Sequence, residues 1–153
     1  MAVSGVESKA AVEVTCGATE VDIYRDTPVR FLGYTNEIGE SFKPMVPRAF
    51  YLGSYAVACT YVAADAKHKY DADGDARHGV DALIWQSLAS VAVPGLVVNR
   101  VVALTGKVTA RPLAPTLAGL ASIPFIIKPI DAFVDVLMDA TIRPLLHGGD
   151  DRR

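Results

Sequence analysis

Apolar and polar positions along this chain fall in long blocks. Three blocks carry no charge: Ala49–Ala64, Ala82–Val98 and Pro112–Ile127. A helix that is apolar on every side is either a deep core helix or a membrane span. Each block is about 16 residues long, where a comfortable span takes about 20. Arg48, Arg100 and Lys128 stand at the block ends. Their long side chains can snorkel, which lengthens each block. The pattern predicts spans near 47–66, 82–104 and 112–128.

The flanks are patterned differently. Thr27 and Pro28 read as an N-cap and first helical residue. Phe31, Leu32, Thr35, Ile38, Gly39 and Phe42 then recur on one face, and Pro44 and Pro47 stop the helix. This predicts an amphipathic helix over 28–43. Pro129 starts a second one over 130–146. Its Asp131, Asp135 and Asp139 recur every four residues with Arg143 next, a solvated face opposite Ile130, Phe133, Val134, Leu137 and Met138. This second helix is expected to lie along an interface and not to span. Asp65–Asp81 reads as an acidic loop and Gly106–Arg111 as a turn. Trp85 suits a membrane interface, and Pro94-Gly95 predicts a kink. The predicted fold is all-α: an integral membrane helical bundle with three transmembrane helices plus amphipathic helices before and after. Residues 1–23 form an irregular arm, 24–146 the membrane domain and 147–153 a polar tail.

A soluble bundle would have to bury three all-round apolar helices together with Gln86, Ser87, Ser90 and Asn99. In a bilayer such groups hydrogen-bond between helices, and small residues let backbones approach. Ser54, Ala58, Gln86, Ser90, Asn99, Ala114, Ala118 and Ser122 are therefore the helix-packing candidates.

Composition agrees with this reading. The chain is 51% hydrophobic, with 21% charged residues and a formal net charge of -2. Mean hydropathy is +0.28. No basic face advertises nucleic acid. Cys16 and Cys59 form no disulfide framework, and Cys59 reads as a small buried hydrophobe. The first twenty residues hold Glu7, Glu13 and Glu20 against Lys9, unlike an Arg-rich transit peptide. Internal segments must then carry any membrane targeting. Across three spans, Arg25, Arg30, Lys43, Arg48, Arg100, Lys107 and Arg111 share one side. They are the candidate lipid headgroup contacts, and the bias places the N-terminus inside.

Candidate chemistry is sparse. Asp71, Asp73 and Asp75 suggest a calcium loop, but Gly74 and Ala82 occupy the wrong positions for one. His68, His78 and His147 lack metal-ligand spacing. There is no phosphate loop and no nucleophile elbow. The reading is no enzyme, no catalytic, metal or cofactor site, with bound phospholipid such as cardiolipin as the one ligand class. Asn36, Glu37 and Glu40 beside an apolar face admit two readings. They form local caps and ion pairs, or a polar cluster that locks the amphipathic helix against the spans.

Three stretches also resemble a known family. YRDTPVRFLGYTNEIGESFKPMVP (Tyr24–Pro47), VDALIWQSLASVAVPGLVVNR (Val80–Arg100) and LAGLASIPFIIKPIDAFVDVLMD (Leu117–Asp139) are similar, in order and spacing, to the mitochondrial fission process protein 1 family. The Asp-rich linker 65–81 departs from that family's pattern. The resemblance implies a multi-pass protein of the mitochondrial inner membrane, a role in mitochondrial shape and fission, and no enzymatic activity. The partners to expect are membrane lipids and other inner-membrane proteins. An alternative expectation is an accessory subunit of a respiratory-chain complex or ATP synthase.

Overall fold

The structure, a computed structural model, describes residues 23–147. The irregular arm and the end of the polar tail lie outside the described residues. A short α1 (Ile23–Asp26) leads into a 3-10 segment (Pro28–Tyr34) and α2 (Thr35–Phe42). The long elements follow: α3 (Arg48–Asp73), α4 (Ala76–Gln86), a π-helical turn (Ser87–Ala92), α5 (Val93–Val108) and α6 (Ala114–Thr141), with α7 (Arg143–His147) last. The described residues are helical and contain no strand.

α4, the π-turn and α5 run as one helix, Ala76–Val108, antiparallel to both α3 and α6. Trp85 meets Asp135, Arg143 meets Asp81, and Val102 lies against Gly119, which fixes the α6 register. α2 is the fourth wall and packs against α3, α5 and α6.

Two helices are long and apolar enough to cross a membrane, Ala76–Val108 and Ala114–Thr141. α3 has 26 residues, but Asp65, Lys67, Lys69, Asp71 and Asp73 crowd its last third. The structure therefore supports two of the three expected spans by length and composition.

Several boundaries differ from expectation. The acidic loop is mostly helix. Pairs four residues apart, Lys67–Asp71 and Asp65–Lys69, extend α3 to Asp73. Gly74, at φ 64°, takes the left-handed conformation that ends the helix. The Asp75 side chain then accepts from Arg77 N at 2.8 Å and caps α4. The acidic residues here are a helix end and a cap, not a calcium loop.

Pro129 does not start a new helix. α6 passes through both Pro124 and Pro129. An interior proline costs roughly 3 kcal/mol, which the burial of Ile130, Val134 and Met138 against Trp85 and Ala89 offsets. Lys128 consequently lies exposed midway along α6, not at a span end.

At Pro94 the helix widens. Val93 N–H bonds Leu88 O, five residues back. This π-turn moves the backbone where the proline ring would meet the Ser90 carbonyl.

Candidate functional site

The amphipathic segment keeps its cap and buries its polar residues. Thr27 Oγ1 accepts from Val29 N at 3.3 Å, and Pro28 opens the 3-10 segment. Yet Phe31 is 70% exposed and Leu32 49%, while Asn36, Glu37, Glu40 and Ser41 are almost fully buried. Phe31, Leu32 and Ile38 point outward, Gly39 of the same face packs on Ser54, and the polar residues point into the bundle as a locking cluster. Two close approaches permit this. A Cβ on Gly39 would lie 2.8 Å from Ser54 Cβ, and one on Gly119 would lie 2.7 Å from Ser41 Oγ. Only glycine lets α2 sit this close to α3 and α6.

Inside, Glu40 gathers donors from three elements. Oε1 accepts from the Tyr51 and Tyr55 hydroxyls, each at 2.8 Å. Oε2 accepts from Asn99 Nδ2 at 2.7 Å and Lys43 Nζ at 3.3 Å. Burial alone would raise its carboxyl. The bonds from Asn99, Tyr51, Tyr55 and Lys43 outweigh burial and hold it below the ordinary range. Asn36 Nδ2 donates to Val91 O at 3.1 Å, a carbonyl inside the π-turn.

Glu37 is the opposite case. It is fully buried, and neither carboxyl oxygen has a protein partner. Desolvation pushes its pKa up to about 8.

A second polar cluster links α3 to the middle helix. Gln86 Nε2 donates to buried Asp65 Oδ2 at 2.7 Å, and Ser90 Oγ donates to Gln86 Oε1 at 2.6 Å. Lys69 Nζ lies 3.0 Å from Asp65 Oδ1, near enough to pair by charge. Arg30 donates to Tyr34 and to Asp131, which ties the 3-10 segment to α6. At the far end Trp85 Nε1 donates to Asp135 Oδ1 at 2.8 Å. Arg143 contacts Asp81 and Asp135 at 3.1 Å and Asp139 at 2.7 Å.

The predicted residues distribute as follows. Ala58, Gln86 and Ser90 are buried, and Asn99 reaches Glu40. Ser54 lies against Gly39. Ala114, Ala118 and Ser122 are half-buried, and the deeper α6 contacts are Pro115, Thr116 and Gly119. Of the headgroup candidates, Arg30 is engaged by Asp131 and Lys43 by Glu40. Arg48, Arg100, Lys107 and Arg111 are exposed, and the Arg25 side chain lies outside the described residues. Three readings are corrected. The Asp131, Asp135, Asp139 face is not simply solvated, because it pairs with Arg30, Trp85 and Arg143. Trp85 is 2% exposed, since its indole finds a partner on α6 instead of an interface. Cys59 is exposed, because it faces away from the α3 contacts made by its buried neighbour Ala58. Sequence reasoning missed Asp65, Tyr51 and Tyr55 as interior polar groups. The signal was present for the tyrosines, whose spacing of four puts both hydroxyls on one face of α3.

Among the described residues no group of three His, Cys, Asp or Glu is placed to hold a metal. The arrangement binds helices together.

Comparison with known proteins turns this architecture into a family assignment. The chain is 47% identical to Mitochondrial fission process protein 1 of Danio rerio over 152 aligned residues, covering 85% of this chain and 92% of the relative. The Homo sapiens protein of that name is 45% identical over 147 residues, covering 82% and 89%. The chain belongs to the mitochondrial fission process protein 1 family. The Caenorhabditis briggsae member is 40% identical over 152 residues, covering 84% of this chain and 94% of the relative. The family model described as Mitochondrial 18 KDa protein (MTP18) matches residues 23–78. That stretch contains α2, all of α3 and both acids, Glu40 and Asp65, that organise the interior. No solved structure matches the chain.

Proposed function

We propose that this chain is a non-enzymatic integral protein of the mitochondrial inner membrane. It serves mitochondrial fission structurally, through contacts with membrane lipids and other membrane proteins. The observation that carries this reading is the inversion of inside and outside. Phe125 is 78% exposed and Val136 69%, while Glu37 and Asp65 are fully buried. An apolar exterior around a polar interior suits lipid as the surrounding solvent. The family name carried by the relatives supplies the process.

In this reading α3 contributes the third span over its uncharged part, Ala49–Ala64. Its start meets the end of α5 and the start of α6, so Lys43, Arg48, Arg100, Lys107 and Arg111 gather at one end of the bundle. The positive-inside rule places that end in the matrix. Anionic headgroups such as those of cardiolipin complement it. Arg100 reaches the nearer interface by snorkelling, with local thinning of the bilayer.

Alkaline carbonate extraction of mitochondria tests the membrane claim. The protein should stay in the pellet, and its release would overturn integral insertion. Depletion should lengthen the mitochondrial network, and an unchanged network would remove the fission role. Native gels of a mild-detergent extract test the assembly. Comigration with a respiratory complex or ATP synthase would replace this reading with an accessory-subunit role.

A further inference from the structure

Glu37 stands apart from every other acid in the interior. Asp65 has Gln86 and Lys69, and Glu40 has four donors. Glu37 is 0% exposed, with both oxygens unpartnered, and the neighbouring Asn36 Oδ1 is unpartnered as well. An ionised carboxylate in that setting has only its own backbone N–H to set against desolvation, and desolvation is the larger effect. The charged and titratable groups around α2 are all committed elsewhere. Just after α2, Lys43 is held by Glu40. On the 3-10 segment, Arg30 and Tyr34 bond each other, and Arg30 also pairs with Asp131 of α6. On α3, Tyr51 and Tyr55 serve Glu40, and Tyr61 donates to Tyr24 O. On α5, Arg100 and Lys107 are exposed at the surface, as is Lys128 on α6.

We propose that Glu37 is a proton-binding site. The proton it carries keeps α2 docked between α3, α5 and α6, and loss of that proton releases α2. α2 has only eight residues and is followed by the short Lys43–Pro47 connection, so it can lift while the long helices stay packed. Lifting uncovers Asn36, Glu37, Glu40 and Ser41, so the released segment moves toward the aqueous boundary and not into lipid. The elevated affinity for the proton has the right direction for such a device. Burial raises the carboxyl to about 8. The sign follows from linkage. The docked state binds the proton more tightly than the released state, so docking is strongest in acid. It weakens as pH rises from the free carboxylate range, and the loss is complete above the docked value.

The test is hydrogen exchange on the full chain in nanodiscs from pH 5 to 9, corrected for the intrinsic rate. The opening equilibrium of α2 should grow about tenfold per pH unit and level off near the docked value, while α6 keeps its protection. In E37Q the α2 profile should be flat with pH. A pH-independent α2 in the natural protein, or the same slope in E37Q, would overturn the proposal. Infrared spectra of the natural protein with labelled glutamate cover the case in which E37Q fails to fold. A protonated carboxyl band at pH 6 that vanishes by pH 9 supports the site, and its absence at pH 6 refutes it.

Discussion

The two ends of the bundle solve the same packing problem with opposite chemistry. At the α4 end the seam between the middle helix and α6 is apolar: Trp85, Ala89, Ile130, Val134 and Met138 fill it, and Asp81, Asp135 and Arg143 form its charged rim, with the buried Asp65–Gln86 pair confined to the α3 side. At the α2 end the interior is polar: Asn36, Glu37, Glu40 and Ser41 face inward, and Phe31, Leu32 and Ile38 face out. The first end is held by dispersion and shape. The second is held by directed bonds, which specify one arrangement because each donor must find its acceptor. In the membrane reading proposed above, a helix facing lipid gains nothing from turning its apolar face inward, so α2 is free to use its polar face as glue.

Four substitutions probe this contrast by unfolding of the purified protein in mild detergent. Trp85→Ala removes the largest side chain of the apolar end and strips Asp135 of a donor. It should cost about 3–5 kcal/mol. A loss below about 1 kcal/mol would mean that the α4 end is not a packed core. Glu40→Ala leaves the hydroxyls of Tyr51 and Tyr55 and the amide of Asn99 without their acceptor. The expected cost is roughly 2–3 kcal/mol, accompanied by loss of hydrogen-exchange protection in α2 before α6. Equal loss in both helices would show that the two ends unfold as one unit. Gly39→Ala forces a methyl onto Ser54 and should cost about 1–3 kcal/mol by overpacking. A neutral result would show that α2 has room to move away from α3. Phe125→Ala, on the outer surface of α6, should change stability by less than about 0.5 kcal/mol. A larger effect would mean that this face is covered by protein.

Much of this was readable before any tertiary information. The cap at Thr27-Pro28 needs only neighbours in sequence and stands as read. So do the uncharged character of the Ala82–Val98 and Pro112–Ile127 blocks and the presence of helix on both sides of them. The reading of 28–43 left two roles open for Asn36, Glu37 and Glu40, and the structure shows the second, a polar cluster that locks the helix against the bundle. Treating Pro129 as a helix start, and Asp65–Asp81 as a loop, weighed local breakers and charge without the contacts that override them. The buried pairing of Asp65 with Gln86 joins residues 21 apart. Nothing local to either predicts it.

The sequence by itself determined composition by block: where charge is absent, where the Thr27-Pro28 cap falls, and that the described residues are helical with apolar surface to spare. Those properties follow from short-range sterics and from the transfer energy of each side chain, which depend little on distant partners. Tertiary structure alone decided which face of α2 is inside. It also decided that α6 runs unbroken through two prolines, and that Glu40 is satisfied while Glu37 is not. Those outcomes depend on whether a donor from another helix arrives within hydrogen-bond distance, and a linear pattern carries no such distances.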